Sequence, residues 1–338
     1  MTDAPATTRA DWQTDQEVRW CPGCGDYGIL DAVQMLMTEL GVRRENTVFI
    51  SGIGCAARYP YYMHTYGMHS IHGRAPAIAT GLAMARPDLD VWVIGGDGDF
   101  LSIGGNHLIH ALRRNVNLTL LLFNNQIYGL TKGQYSPTSE PGKVTKSTPF
   151  GSLETPFNPV SLALGAEATF VARTHDLDRK HMMSVMRQAH DHRGSALVEI
   201  YQNCNVFNDG AFEEINRRNV RDEMLIELQD GQPIRFGAEQ QRGVVLEGTG
   251  ARIADVAEVG EDALLVHDTS RVDPAIAFAL SRLAVGPHEP TPVGVFRAVE
   301  GPEYAEAAEQ QLASAQSAAG PGDLEALLRS GATWTVEE

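Results

Sequence analysis

The sequence predicts an α/β fold built on a doubly wound parallel sheet, followed by a small C-terminal extension. Two strongly apolar runs, 91–94 and 118–123, flank a segment of helical periodicity at 105–114. A helix of that length is what two parallel strands need, because the chain must cross back over the sheet between them. Both runs end in polar residues, GGDGDF and NNQIYG, as at the ligand-binding edge of an open parallel sheet.

The same periodicities predict the remaining elements. Helices are expected at 26–40, 75–85, 176–190 and 304–318, strands at 47–50, 168–172 and 196–201, and a short strand followed by a helix within 263–283. Residues 135–159 are rich in Pro, Ser and Thr without clear periodicity, which predicts a long ordered loop.

Three segments are expected along the 338 residues. Residues 1–19 are predicted to be mobile, residues 20–210 to form the main domain, and residues 211–338 to form an extension that covers the site or contacts a partner. The chain is 43% hydrophobic and 21% charged, which is sufficient for a sizeable buried core.

Charge and hydropathy exclude several classes of function. A net charge of -16 without a basic cluster argues against nucleic-acid binding. No apolar run approaches the ~18 residues that a membrane span needs. The first twenty residues lack the apolar core of a secretory signal, so a cytoplasmic location is expected.

The Gly96-Asp97-Gly98 sequence and the later Asn124-Asn125 pair indicate a metal–diphosphate site. Mg²⁺ prefers oxygen ligands, and Asp97, Asn125 and the backbone carbonyl of Ile127 would supply them. Glycines let the backbone approach phosphate groups closely. A lone GDG would more often be an ordinary turn, but an asparagine pair at the end of the next strand favours the metal site.

All four cysteines, Cys21, Cys24, Cys55 and Cys204, fall within glycine-rich or polar motifs. A reducing compartment disfavours structural disulfides, so metal, cluster or redox chemistry is the better interpretation. Four thiolates can ligate either a [4Fe–4S] cluster or a zinc ion, and their spacing alone does not choose between the two.

Taken together, these motifs resemble those of the thiamine diphosphate enzymes. Within that superfamily the chain is similar to the β subunits of the 2-oxoacid:ferredoxin oxidoreductases over roughly residues 20–210. The motifs that carry the resemblance are WCPGCGDYG at 20–28, GIGC at 52–55, HGRAPAIATG at 72–81, the region 97–130 and YQNC at 201–204.

The resemblance implies a thiamine diphosphate-binding fold, Mg²⁺, and a [4Fe–4S] cluster on the four cysteines. It implies coenzyme A-dependent oxidative decarboxylation of a 2-oxo acid, with ferredoxin as electron acceptor and 2-oxoglutarate as the expected substrate. A partner α subunit would supply the glutamate that contacts the aminopyrimidine, so an αβ or α2β2 assembly is expected, inactive without that subunit.

The resemblance also implies individual site residues. The cofactor-binding set is Ile53, Gly54, Cys55, Ala56, His72, Gly73, Arg74, Gly96, Gly98, Asp99, Gly129 and Leu130. Arg58 and His72 are expected to be catalytic, with Arg58 facing a substrate carboxylate. A surface arginine and a loop before a helix remain the alternatives for these two positions. Phe296, Arg297 and Glu300 resemble part of the family's C-terminal region.

Two other functions stay open at this point. The chain could belong to a non-oxidative thiamine diphosphate decarboxylase or carboligase whose cysteines hold structural zinc. It could instead be a non-catalytic α/β scaffold that regulates a partner.

Overall fold

The computed structural model describes residues 7–217, 219–283 and 289–337. The strands are β1 Thr47–Ser51, β2 Tyr66–His69, β3 Asp90–Gly96, β4 Leu118–Asn124, β5 Phe170–His175, β6 Ser195–Tyr201, β7 Leu225–Leu228, β8 Arg235–Phe236, β9 Arg242–Glu247, β10 Gly250–Asp255 and β11 Thr291–Ala298. The α-helices are α1 Asp26–Leu40, α2 Ala75–Ala85, α3 Asp97–Leu101, α4 Gly105–Arg114, α5 Pro159–Gly165, α6 Arg179–Asp191, α7 Glu213–Asn216, α8 Arg221–Met224, α9 Val256–Val259, α10 Ala275–Ser281, α11 Tyr304–Ala319 and α12 Leu324–Leu328.

Eight strands form the main sheet, in the order β2-β1-β3-β4-β6-β5-β11-β7. The first six run parallel to one another, whereas β11 is antiparallel to β5 and β7 is parallel to β11. The predicted fold class, an α/β fold on a doubly wound parallel sheet, is therefore confirmed, although the sheet is mostly and not wholly parallel. Within the described ranges, no helix has both the length and the apolar character that a membrane crossing requires.

Helices cover both faces of the sheet, because alternate strand residues are apolar toward each side. Ile50 and Leu120 pack with α2, α4, α5 and α10 on one face. Phe49, Trp92 and Leu121 pack with α1 and α6 on the other. The two resulting cores leave the carboxyl ends of the parallel strands as the open edge of the molecule.

The predicted elements of the main sheet match the structure closely. The helices at 26–40, 75–85 and the crossover helix at 105–114 have the predicted bounds, and the other strands and α6 differ by at most three residues at an end. Strand β2 was not predicted, because it is an exposed edge strand without apolar alternation. Helix α5 begins at the end of the predicted loop, where Asn158 caps it by accepting from the Ser161 N–H.

The N-terminal segment differs from the prediction. Residues 1–6 lie outside the described residues, but residues 7–19 pack against the domain instead of standing free. Trp12 is 0% exposed, its Nε1 donates to Thr7 Oγ1 at 3.0 Å, and Arg9 forms an ion pair with Asp31 of α1. Burial of the tryptophan contributes to holding this segment on the core, together with the ion pair and the hydrogen bond.

The segment after residue 210 contributes directly to the main sheet through β7 and β11, so residue 210 does not coincide with the end of that sheet. Phe296 is buried in the core, and the Arg297 guanidinium donates to the carbonyls of Ala168 and Val272. These two residues hold the extension on the sheet. Glu300, which follows β11, is exposed.

The remainder of the extension is small. Strands β10, β9 and β8 form a separate antiparallel sheet. Within 263–283 the predicted helix is present as α10, whereas the predicted strand is absent from this described stretch. The C-terminal helix α11 has the predicted start and ends one residue later than predicted.

Candidate functional site

Four sequence motifs meet at the carboxyl edge of the sheet because each follows a parallel strand. GIGC follows β1, Asp97 follows β3, Asn125 follows β4, and Gln202 follows β6. Adjacent strands end at the same edge, so residues distant in the sequence become neighbours. A cavity of about 650 Å³ opens there.

Most residues predicted from the sequence to bind the cofactor or its metal line this cavity: Ile53, Gly54, Cys55, Ala56, His72, Gly96, Asp97, Gly98, Asp99, Asn125, Ile127, Gly129 and Leu130. Gly73 and Arg74 lie just behind it. The Gly73 N–H donates to Asp99 Oδ1 at 2.7 Å, and Arg74 donates to the Ile103 carbonyl at 3.3 Å.

Asp97 is a buried carboxyl at the cavity wall. The hydroxyls of Ser136 and Thr138 donate to its Oδ2, the second at 2.6 Å. Burial raises the pKa of Asp97 to about 6, against the effect of these hydrogen bonds. A buried carboxyl fixed in this way fits the donor set of a divalent cation, which would favour its ionised form.

Asn125 and Ile127 complete a set of oxygen donors in the same cavity. The Ile127 N–H donates to Asn125 Oδ1 at 3.2 Å, and this contact shapes the turn after β4. Together with Asp97 they offer the carboxylate, amide and carbonyl oxygens expected of a Mg²⁺ site.

A buried polar network supports this site from behind. Thr138 Oγ1 lies 2.9 Å from Asn124 Oδ1, and Asn124 Nδ2 donates to Glu199 Oε1 at 2.7 Å. Arg173 Nε donates to Glu199 Oε2 at 2.7 Å, and both members of this ion pair are almost fully buried. A fully paired buried network restricts side-chain positions, so it holds the strand ends that carry Asp97 and Asn125.

Asp99 connects the loop that contains Ile53 with the loop that contains His72 and Gly73 through hydrogen bonds. Its Oδ1 accepts from the Ile53 N–H at 3.1 Å and the Gly73 N–H at 2.7 Å, and lies 2.6 Å from His72 Nδ1. Because the carboxylate oxygen can only accept, the contact assigns the Nδ1 proton to His72. Burial raises the pKa of Asp99 while these donors lower it.

Two glycines are required by close approach. A Cβ at Gly52 would lie 2.1 Å from Asp99 Oδ2, and a Cβ at Gly98 would lie 2.2 Å from the Tyr128 ring. Tyr128 in turn donates its hydroxyl to the Gly98 carbonyl at 3.1 Å. Any side chain at either position would displace a wall of the cavity.

The four cysteines meet in a second, smaller cavity of about 200 Å³ that adjoins the first. All four carry free thiols. Cys55, Asn125, Gly129 and Leu130 line both cavities.

The cysteine cavity is lined by both thiols and basic side chains. Burial raises the pKa of Cys55 to about 12, and it raises that of Cys24 further. Binding of a metal would have to displace these protons. Arg19, Arg58 and Lys132 line the same cavity and would offset the negative charge of ligating thiolates.

The arrangement of the cysteines bears on the choice between zinc and a cluster. Thiolates around one zinc ion must all lie ~2.3 Å from a single point. Among the described residues, no three His, Cys, Asp or Glu side chains are placed to hold one ion. The four thiols line one cavity, which supplies the ligands that either a zinc ion or a [4Fe–4S] cluster requires.

Arg58 lies on the cysteine side of the site. Its Nε donates to the Tyr62 hydroxyl at 3.1 Å. Of the two cavities found within the described part of the chain, Arg58 lines the cysteine cavity and not the larger one.

Several residues of the site were not predicted. They are Ser102, Tyr128, Ser136, Thr138, Glu154, Arg173, Glu199 and Gln202. The abundance of Ser and Thr in 135–159 was a signal that this loop could donate hydrogen bonds, but its target could not be inferred without the fold.

Comparisons with known proteins agree with this arrangement. The family described as "Thiamine pyrophosphate enzyme, C-terminal TPP binding domain" matches residues 52–200. The 2-oxoglutarate oxidoreductase subunit KorB of Mycobacterium tuberculosis is 60% identical over 338 residues, covering 99% of this chain and 90% of that protein. The 2-oxoacid:ferredoxin oxidoreductase 1 subunit beta of Aeropyrum pernix is 45% identical over 59% of this chain and 63% of that protein.

A solved structure is similar over almost the whole chain. It is a 2-oxoglutarate:ferredoxin oxidoreductase from Magnetococcus marinus with 2-oxoglutarate, coenzyme A and succinyl-CoA bound. The TM-score is 0.77, and the sequences are 34% identical, with 98% of both chains covered. The family predicted from the motifs is thereby confirmed, and a β subunit implies an α subunit as partner. This chain belongs to the β subunits of the 2-oxoacid:ferredoxin oxidoreductases and carries their thiamine diphosphate-binding domain.

Proposed function

We propose that this chain, together with its α subunit, oxidises 2-oxoglutarate in the presence of coenzyme A to succinyl-CoA and carbon dioxide, and that ferredoxin accepts the electrons. The observation that carries this proposal is the shared wall between the two cavities. Cys55 and Gly129 line both, so a cofactor in one would lie next to a cluster in the other.

The larger cavity is proposed to hold the diphosphate end of thiamine diphosphate with Mg²⁺. When bound, this cofactor supplies the electron sink for decarboxylation of a 2-oxo acid. Asp97, Asn125 and the Ile127 carbonyl would hold the metal, while Gly96 and Gly98 leave room for the diphosphate. This fit rests on a buried carboxyl beside amide and carbonyl oxygens.

The cysteine cavity is proposed to hold a [4Fe–4S] cluster on Cys21, Cys24, Cys55 and Cys204. Such a cluster accepts electrons singly and is tuned by charge and hydrogen bonds around its sulfurs. The meeting of all four thiols at one cavity and the neighbouring basic groups support it.

His72 and Arg58 are proposed to act on the substrate side. His72 Nδ1 is held by Asp99, so its Nε2 can hold or release a proton at the cavity wall. Arg58 would attract a carboxylate toward the junction of the two cavities. Replacement of Arg58 by Gln would then raise the KM for 2-oxoglutarate more than it lowers kcat.

The α subunit is proposed to close the cofactor cavity over the loop that follows Gln134. Phe150 is 100% exposed and Leu153 is 99% exposed on this loop, and Glu154 of the same loop lines the cavity. Exposed apolar side chains beside an open site are typical of a contact surface. The extension after residue 210 is proposed to add a second contact through its exposed C-terminal residues, among them Leu328 and Trp334.

The first test uses the complex of both subunits, purified without oxygen. Acceptor reduction is measured with coenzyme A and a panel of 2-oxo acids, and iron and zinc are determined for the wild type and Cys204→Ala. We expect ~4 irons per β subunit, a loss of both iron and acceptor reduction in the variant, and the highest kcat/KM with 2-oxoglutarate. Val206→Ala, at an exposed site on the same loop, serves as the matched control.

Stoichiometric zinc, or acceptor reduction that survives Cys204→Ala, would refute the electron-transfer role. The metal–diphosphate site is tested separately by calorimetric titration of thiamine diphosphate with and without Mg²⁺. Asp97→Ala is expected to abolish the Mg²⁺-dependent binding, whereas Asp88→Ala, at an exposed position two residues before β3, is expected to leave it unchanged. Equal affinities in the two variants would contradict the assigned ligand.

A further inference from the structure

Gln202 lines the cysteine cavity, where it contacts Cys24, and it also contacts Asn125, which lines both cavities. It is 1% exposed and directly follows β6, where its N–H donates to the Asn124 carbonyl at 2.9 Å. Its side-chain oxygen accepts from Asn125 Nδ2 at 2.9 Å, and its side-chain nitrogen donates to Cys24 Sγ at 3.2 Å. One amide therefore joins the proposed metal ligand Asn125 to the proposed cluster ligand Cys24.

The orientation of this amide is fixed by a third partner. The Asn203 carbonyl oxygen can only accept, and it lies 2.7 Å from Gln202 Nε2. That nitrogen therefore carries the hydrogens that face Cys24, and Oε1 faces Asn125. The same argument continues to the next residue: the Asn125 amide nitrogen points to Gln202, so its Oδ1 points away, toward the Ile127 N–H.

We propose that Gln202 is a positioning residue that links the metal–diphosphate site to the cluster. Its nitrogen donates to a cluster-ligating sulfur and thereby raises the reduction potential of the cluster. Its oxygen holds the Asn125 amide with Oδ1 toward the metal. This inference rests on the proposed function, because it requires both groups to be bound.

The direction of the effect on the cluster follows from charge. Reduction adds one negative charge to a group whose sulfurs already carry negative charge, and an N–H donor stabilises the more negative state. Loss of one such donor is expected to disfavour reduction by about tenfold. For a one-electron couple this corresponds to a midpoint potential about 59 mV more negative.

Through the Gln202 amide, binding at the metal–diphosphate site should change the cluster potential, and reduction of the cluster should change the cofactor affinity. A metal that pulls on Asn125 Oδ1 polarises the Asn125 amide, and this changes the hydrogen bond that Gln202 accepts. By linkage, a change in cluster potential on binding of Mg²⁺ and thiamine diphosphate must be matched by a change in cofactor affinity on reduction of the cluster. Removal of Gln202 should abolish this mutual effect.

The test is a redox titration of the cluster in the αβ complex, followed by electron paramagnetic resonance, with and without Mg²⁺ and thiamine diphosphate. Gln202→Met removes both hydrogen bonds at nearly constant volume. Gln202→Glu keeps the oxygen that accepts from Asn125 and removes the amide donor. Val206→Ala is the matched control, since Val206 is exposed and lies on the loop that follows Cys204.

We expect about a tenfold loss in the reduction equilibrium for Gln202→Met and at least as much for Gln202→Glu, with the control unchanged. The shift on adding Mg²⁺ and thiamine diphosphate should be present in the wild type and absent in Gln202→Met. Calorimetric cofactor affinity should fall in Gln202→Met and remain near that of the wild type in Gln202→Glu. A purely structural role would move neither the potential nor its dependence on the cofactor.

The outcomes separate this inference from the function on which it rests. A wild-type complex without iron would overturn both. A wild-type cluster whose potential is the same in Gln202→Met would overturn only the role of Gln202. If neither variant assembled a cluster, unchanged Mg²⁺-dependent cofactor affinity in Gln202→Met would likewise overturn it.

Discussion

Replacement of Asp99 should show how strongly the cofactor site depends on one buried carboxyl. Asp99→Ala would leave the N–H groups of Ile53 and Gly73 without their acceptor and would release His72. An unsatisfied buried donor costs about 1–3 kcal/mol. Gly73 is buried, whereas Ile53 and His72 are partly accessible to water, so the total should be about 2–4 kcal/mol.

This loss should appear in both stability and binding. The thermal midpoint of the complex should fall by about 1 °C for each kcal/mol lost, because the entropy of unfolding grows with chain length. Binding of thiamine diphosphate must then reorder both loops, so affinity should fall by about tenfold for each 1.4 kcal/mol of ordering. Asp99→Asn retains an oxygen acceptor and should lose less than about tenfold.

Calorimetric titration of the αβ complex with thiamine diphosphate and Mg²⁺ measures the affinities directly. Gly52→Ala should also displace Asp99 and lower the cofactor affinity, because its Cβ would lie 2.1 Å from Asp99 Oδ2. The reasoning is refuted if Asp99→Ala binds the cofactor as tightly as the wild type, or if Gly52→Ala is without effect while Asp99→Ala is not.

Three further predictions concern other parts of the chain. Gly98→Ala should abolish cofactor binding without loss of the fold, because the new methyl would displace Tyr128; calorimetry and far-ultraviolet circular dichroism check the two statements, and normal affinity would contradict the close approach. Phe150→Ser combined with Leu153→Ser should weaken association with the α subunit, measured by analytical ultracentrifugation, while unchanged association would exclude this loop from the interface. Trp12→Ala should cost about 3–5 kcal/mol of packing and expose the N-terminal segment to proteolysis, whereas equal resistance to protease would show that the tryptophan does not hold it.

Much of the fold could be predicted because its sequence patterns are local. The strands of the parallel sheet are continuous apolar runs, and α1, α2 and α4 have clear helical periodicity or composition. Strand β2 could not be predicted, since an exposed edge strand is defined by its pairing with β1 and not by its own composition. The ordered N-terminal segment was missed for a similar reason: burial of Trp12 depends on contacts with distant residues.

Part of the site could also be predicted, because chemistry restricts residue type. Asp97, Asn125 and the four cysteines stand in motifs whose side chains have few other uses in such an arrangement. Arg58 shows the limit of this reasoning, since its residue type allowed contact with a substrate but did not indicate which of two adjoining cavities it lines.

The sequence by itself determined the fold class and the identities of the candidate metal-binding groups, because periodicity and ligand chemistry are properties of short segments. The family followed from the resemblance of its motifs to those of known proteins. Only the tertiary structure decided that the thiol cavity and the cofactor cavity share a wall, and that Gln202 touches a residue of each. It also decided that Asp99 fastens two loops together. The physical reason is that the order of strands in a sheet differs from their order in the chain, so contacts across strand ends exist only once the sheet has formed.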